Sequence, residues 1–327
     1  MADTLTEFAK GANDEVQRGV FETIITNDAL MPLLKFRSFN GNGYVYNREL
    51  TIPSSYVRAV GGAVSSSRPT FTKRTVSLTT IMTQSPMDLY IAETRDSIQD
   101  PEAVNLGLLA KSLTREIARQ VIQGDSGSST GEGTEGNEME GLISLIDAES
   151  RWRGMKDPTV ALSAGPGDTE TTLTIAGLDI LIDDVDDGRT PPDVLLLNTT
   201  MRRKISALSR VAANGIQLSD AAMFGHQYRL FNGIPLVITN FLTNTEIYED
   251  SGTWSNSTAT TIIALQFGEA KQGYTLIHNG PVLNPRVMEL AVPIDEHEKY
   301  SRMYVYTNAL IYSPNHIVGL GGIDSAT

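Results

Sequence analysis

The chain has 327 residues, with 26 Lys and Arg against 39 Asp and Glu, a formal net charge of −13. Such an acid excess argues against a nucleic-acid binder, whose surface normally carries Lys and Arg in excess. The absence of Cys excludes disulfides, thiol catalysis, thiolate zinc sites and Cys-ligated iron–sulfur clusters, while 40% hydrophobic and 20% charged residues can supply a sizeable core.

The opening residues MADTLTEFAKG lack a basic n-region and an apolar h-region, so no secretory signal is expected. Apolar runs such as 194–197 and 261–265 are too short to span a bilayer, and a soluble, intracellularly made protein is the expectation. Residues 1–30 read as an arm in which Val16, Val20, Phe21 and Ile24 recur at helical spacing. So narrow an apolar stripe needs another surface to lie on. Residues 44–83 read as two strands, the second with Val76, Leu78 and Thr80 on one face, joined by a Gly- and Ser-rich stretch with little to bury. This predicts a long projecting hairpin, and an isolated hairpin is marginal in water.

Residues 101–123 carry the clearest helix. Leu109, Leu113, Ile117 and Val121 stand four apart, Leu106 and Leu108 extend the stripe, Asp100 suits the N-cap, Pro101 the first turn and Gly124 the stop. Residues 124–141 read as a flexible acidic loop and 156–172 as a second polar gap. A compact α/β stretch follows: a helix over 173–185, a buried strand over 193–198, and a helix over 199–212 capped by Thr199 or Thr200. A strand pair over 230–242 breaks at Asn232-Gly233, and another buried strand covers 260–270. The tail is β-rich over 286–294, 302–313 and 316–323.

The run Gly131-Glu132-Gly133-Thr134-Glu135-Gly136 matches GxGxxG literally, but it follows a helix and its acids would repel a pyrophosphate, so it reads as loop. Asp183 to Gly188 lacks the ligand spacing of a calcium loop and reads as a solvated helix end. Asp295-Glu296-His297-Glu298 lacks a second His at metal-binding spacing. The sequons at Asn198 and Asn256 carry no meaning without a secretory route. The chain has neither a Walker A loop nor a GxSxG elbow. The reading is therefore not an enzyme, with no catalytic, cofactor-binding or metal residues assigned.

The element order, with LGLLAKSLTREIARQVIQGDSGSSTGEGTEGNEMEGLISL, DVLLLNTTMRRKISAL, FNGIPLVITNFL and RMYVYTNALIYSPNHIVGLGGI, resembles the HK97-fold major capsid proteins of tailed double-stranded DNA bacteriophages. The first segment is similar to that family's spine helix and its GDGT…GL loop, here expanded by acidic and Gly residues. The second is similar to its strand-Asn-helix, the third to its GxPV hairpin, and the last to its closing strands.

The resemblance implies an α+β, HK97-like capsid fold. It assigns 1–43 to an N-terminal arm and 44–83 to an extended β-hairpin loop, the E-loop. It assigns 84–172 and 286–313 to a peripheral domain with spine helix 101–123, and 173–285 and 314–327 to an axial domain. It implies self-assembly as hexamers and pentamers of an icosahedral head shell, assembled in the host cytoplasm and enclosing DNA without sequence-specific binding. No cofactor or membrane is implied. Partners would be a separate scaffolding protein, since the arm begins within the first 20 residues, together with a portal and, left open, a decoration protein. The alternative is an encapsulin-like nanocompartment shell protein, and a third reading is an unrelated α/β enzyme.

One member of the family cross-links a loop Lys to a neighbour's Asn with help from a Glu. Lys73, Asn308 and Asn315 are available here, but no Glu follows Tyr300, so no cross-link is expected. Residues 51–80 carry Arg58, Arg68, Lys73 and Arg74 without an acid, whereas 124–141 carry Asp125, Glu132, Glu135, Glu138 and Glu140 without a base. This segregation predicts that the basic loop, with Phe71, lies across acidic surface on the next subunit.

Overall fold

The computed structural model describes residues 30–63, 66–88, 101–124, 138–155, 157–162, 171–210, 219–223, 226–244, 246–248, 254–256, 259–279, 285–290 and 298–325. The arm helix, the Asp100 cap, the GxGxxG run, Asp125, Glu132, Glu135, residues 295–297 and the rest of the Asn256 sequon lie outside them.

The chain opens with β1 (Phe36–Phe39), β2 (Gly43–Thr51), β3 (Thr70–Ser77) and β4 (Thr79–Asp88), then α1 (Pro101–Gln123) and α2 (Leu142–Ala148). Next come β5 (Trp152–Gly154), β6 (Asp157–Leu162), α3 (Ile175–Asp183), β7 (Val194–Leu197) and α4 (Thr199–Arg210). Then follow β8 (Ser219–Met223), β9 (His226–Phe231), β10 (Ile234–Ile238), β11 (Glu246–Tyr248), β12 (Trp254–Asn256) and β13 (Ala259–Leu265). The chain closes with β14 (Tyr274–Asn279), β15 (Arg286–Leu290), β16 (Glu298–Ile311) and β17 (Ile317–Asp324).

Two sheets carry the body. In the smaller, β1, β14, β16 and β15 lie in that order, and β4 also pairs along β16 from Asp88 to Thr79. The larger has the order β6-β5-β17-β13-β7-β10-β9-β8. Strands β7, β10, β13 and β17 form its buried middle, which is why they read as near-continuous apolar runs without alternation. One face of this sheet packs under α3 and α4 through Leu178, Leu181, Met201, Ile205, Leu195 and Leu197. Leu196, Val237, Ile263 and Ile317 belong instead to a core shared with α1, α2 and the smaller sheet.

Helix α1 buries Leu109, Leu113, Ile117 and Val121 as the spacing predicts, but Leu108 is 59% exposed. Its position one residue before Leu109 turns it about 100° off the stripe. The segment read as one strand over 74–83 is divided at Leu78, whose N–H donates to Asn42 O at 3.1 Å. β3 stays in the hairpin with β2, and β4 crosses to the smaller sheet. The gap predicted over 156–172 holds β6, which carries Pro158 and is the edge strand of its sheet, where a missing N–H is tolerated. Helix α4 is capped by Asn198, not by Thr199 or Thr200: its Oδ1 accepts from Met201 N at 2.9 Å. The same side chain donates to Asn244 Oδ1 at 2.7 Å and Thr260 Oγ1 at 2.9 Å, so one amide caps a helix and ties down the chain beyond β10. Strands β9 and β10 meet at Asn232 (φ 50°) and Gly233 (φ 82°), the left-handed pair that suits a two-residue hairpin. The sheets also cut across the boundaries expected from the sequence. β5 and β6, before residue 173, join the larger sheet, and β14, before residue 286, joins the smaller.

The acidic loop leaves and re-enters the body through two glycines. Gly141 N donates to Gly124 O at 2.9 Å, and a Cβ on Gly124 would stand 2.3 Å from Met139 O. Only residues without a Cβ permit so close an approach. The pinch explains why a GL pair closes the expanded loop.

His278 sits on β14, 1% exposed, and burial lowers its imidazole pKa to about 4. The folded chain therefore binds fewer protons than the unfolded chain between pH 6.5 and about 4. Stability from this group is fully present above pH 6.5 and is lost as pH falls through that window, by about 3 kcal/mol in all. Urea unfolding of the chain should show this slope, and His278→Gln should flatten it.

Candidate interaction surface

The hairpin β2–β3 is held at its root and bare at its tip. Its register runs from Gly43 opposite Ser77 to Thr51 opposite Thr70, with one irregularity between Glu49 and Thr51. At the root, Tyr44 and Tyr46 stack at 6.2 Å, and Tyr312 meets Tyr46 edge-on at 5.4 Å. Arg37 lies 4.9 Å over the Tyr44 ring and also pairs with Glu269. Burial raises the Tyr312 hydroxyl above its ordinary pKa, so the ring stays neutral in this cluster.

Arg48 fastens β2 to the body. It donates to Tyr312 O and Ile311 O at 3.0 Å each and pairs with Glu149 at 2.5 Å, in a site where both side chains are largely buried. Arg74 of β3 reaches the same carboxylate at 3.4 Å. One acid just past the end of α2 thus grips both strands of the hairpin. A groove of about 930 Å³ runs beneath it, lined in part by Asn47, Leu50, Phe71, Pro314 and Asn315.

Beyond the root, every described residue from Thr51 to Phe71 is exposed. Leu50 and Ile52 are 67% and 76% exposed, Phe71 is 66%, and Val57 and Val60 are fully exposed. Such a run of apolar side chains in water, on a segment with little body to rest on, makes the tip a candidate interaction surface. Of the basic residues, Arg58, Arg68 and Lys73 are exposed, and Arg74 spends part of its charge on Glu149.

The described acids of the loop lie close to α1. Glu138 pairs with Arg119 at 2.7 Å, and Glu116 pairs with the same Arg119 at 2.6 Å. These carboxylates, the Glu116 hydrogen bond first, raise the guanidinium above its ordinary pKa. Glu140 offers its backbone N–H to Asn308 Oδ1 at 3.0 Å. The Asn308 amide is buried and engaged: its Nδ2 donates to Ser77 O at 2.6 Å, and its Oδ1 also accepts from Ala309 N. The structure brings neither Glu138 nor Glu140 into an ion pair with the basic hairpin residues of its own chain among the described residues.

A second charged feature was read only in part from the sequence, as the solvated helix end at Asp183 to Gly188. Helix α3 ends in acid: Asp183 is its last residue, Asp179 stands one turn earlier, and no base occupies its last turn. Helix α4 holds Arg202, Arg203 and Lys204 close to its start, with no acid in its first turn. Asp183 in the last turn of α3 and Arg202 in the first turn of α4 oppose their helix dipoles, an unfavourable placement of about 0.3–1 kcal/mol per charge at low salt, whereas Arg210 in the last turn of α4 matches its own. Burial, and then the charge of Asp183, hold the Asp179 carboxyl above its usual pKa. The signal was available as charge counts per helix.

Among the described residues no helix is long and apolar enough to cross a membrane, and no group of three or more His, Asp or Glu is placed to hold a metal.

No family model matches the chain, and no curated protein matches it. Solved structures do. An encapsulin complex from Synechococcus elongatus PCC 7942 is 14% identical with a TM-score of 0.63, over 93% of this chain and 90% of that one. Mycobacterium phage Bobi is 13% identical at 0.56, over 91% and 89%. The capsid of an empty GTA particle is 16% identical at 0.59, over 90% and 89%. The chain therefore has the HK97-like α+β fold that phage capsid, GTA capsid and encapsulin subunits share.

Proposed function

We propose that the chain is a structural shell subunit, not a catalyst, that assembles with copies of itself into a closed icosahedral particle. The observation that carries this reading is the hairpin tip. A fold able to bury a full core leaves Leu50, Ile52, Val57, Val60 and Phe71 in water, and a repeating assembly supplies the surface that covers them. The finer reading is the major capsid protein of a tailed bacteriophage. Its shell is the virion head enclosing double-stranded DNA, assembled in the host cytoplasm with a separate scaffolding protein and a portal, a decoration protein being left open. Net charge of −13 suits a container that must release DNA. The encapsulin-like alternative is supported by the TM-score of 0.63 to an encapsulin complex. Negative-stain microscopy of the purified chain tests the shell: a monodisperse 35.5 kDa species under all assembly conditions would sink it. Particle contents then separate the finer readings, nuclease-protected DNA supporting the phage head and a folded protein cargo the nanocompartment.

On this reading the basic hairpin lies across acidic surface of the next subunit, near α1, where Glu138 and Glu140 stand. Reversing Arg58, Arg68 and Lys73 to Glu, and leaving Arg74 to its own Glu149, should slow assembly and change its salt dependence. Each exposed pair is weak, about 0–1 kcal/mol, but it recurs in every subunit. Light scattering across a salt series reads this out. Unchanged rates would leave the hairpin held by backbone pairing and apolar contact alone.

A further inference from the structure

Helices α3 and α4 cover the same face of the larger sheet, α3 over β17 and β6 and α4 over β10, with β13 and β7 between them. Their outward charges are of opposite sign. On the α3 side Asp179, Asp183 and Asp187 are exposed, whereas Asp184 pairs with Arg153 at 2.7 Å and Asp186 accepts from Thr190 Oγ1. On α4, Arg203 and Arg210 are exposed and Arg202 is half-buried, while Lys204 is tied to Asp324. Among the described residues Asp179, Asp183, Arg202, Arg203 and Arg210 make no ion pair. Asp179 and Asp183 are four apart on one helix, a repelling pair. Asp183, in the last turn of α3, also opposes the dipole of its helix, as Arg202 does in the first turn of α4, whereas Arg210 in the last turn of α4 matches it. Within the isolated chain the acidic ridge is locally unfavourable, and the two ridges are complementary in charge.

Resting on the shell-subunit reading, we propose that the acidic ridge of α3 on one subunit docks against the basic ridge of α4 on a second copy, as a head-to-tail contact. The two ridges are different surfaces of one layer, so every copy that uses its α3 still offers its α4. Contacts of this heterologous kind repeat from copy to copy and form a ring where the rotation between copies closes. A nucleic acid is the less favourable occupant of α4, because a phosphate backbone following the layer would next meet Asp179, Asp183 and Asp187.

Charge exchange tests the contact. Arg203→Glu with Arg210→Glu, and separately Asp179→Lys with Asp183→Lys, should each lower the assembled fraction at least tenfold at low salt, measured by sedimentation and microscopy. The four substitutions together in one chain should restore it. The neutral pair Arg203→Gln and Arg210→Gln, with circular dichroism on every variant, separates a lost contact from a lost fold and should give an intermediate loss. Wild-type particles with either reversed variant assembling normally, or with no rescue in the combined variant, overturn this contact and leave the shell reading standing. A wild-type chain that never assembles overturns both. If only the α4 variant loses retention of a short DNA duplex on a gel, and the α3 variant is silent, the ridge is a polyanion surface and the contact is overturned.

Discussion

Gly319→Ala should lower the stability of the chain by about 3 kcal/mol, the upper end of what overpacking a core costs. Gly319 lies on β17 beside β5, in register with Trp152. A Cβ there would stand 2.4 and 2.7 Å from two carbons of the Trp152 ring. That ring is 1% exposed and belongs to the core that joins α1, α2 and both sheets, so it has no free side to move toward. The control is Gly107→Ala in α1, where a Cβ would meet nothing within 4 Å. Replacing a helix-interior glycine should there stabilise by about 0.5–1 kcal/mol. Urea unfolding of both variants checks the pair. A fall of less than 1 kcal/mol at Gly319 would mean that β5 can slide, and that the sheet is looser at this edge than its packing implies.

Shortening the hairpin should do the reverse, sparing the fold and removing assembly. Replacing residues 52–69 by Asn-Gly deletes exposed Ile52, Val57 and Val60 but keeps the ladder from Gly43 opposite Ser77 onward. The root remains gripped by Arg48, Tyr46 and Glu149. The deleted stretch contributes little to the core, so the unfolding midpoint should stay within about 0.5 kcal/mol of wild type, the range of surface changes. Particles should vanish from micrographs. Intact particles from this variant would mean that the tip closes no contact and that the apolar side chains there serve something other than a second copy.

Periodic signals carried the parts of this fold that are periodic. The four-apart Leu109, Leu113, Ile117 and Val121 of α1 place its buried face, and Pro101 and Gly124 its ends, without tertiary help, because one helix stripe meets one core. The Asn232-Gly233 pair specifies its hairpin for a similar local reason: the turn needs two left-handed residues and the chain supplies them. The exposed character of the 51–71 tip was equally legible, since a stretch so poor in alternation has no face to bury.

Other features had no local signal. That β3 and β4 part at Leu78 depends on β16, more than 200 residues away, offering a ten-residue partner to β4. Asn198 rather than a threonine caps α4 because its amide also finds Thr260 and Asn244 across the sheet. Glu149 becomes the anchor of the hairpin only when the ends of α2 and β16 are brought beside Arg48 and Arg74. The sequence by itself determined the strongly periodic elements, the acid excess and the projecting loop, because these rest on side-chain spacing and composition. Tertiary structure alone decided which strands share a sheet and which charges remain unpaired, because strand pairing and ion pairing join residues far apart in the chain, and the energy of each is set by neighbours that local spacing does not name.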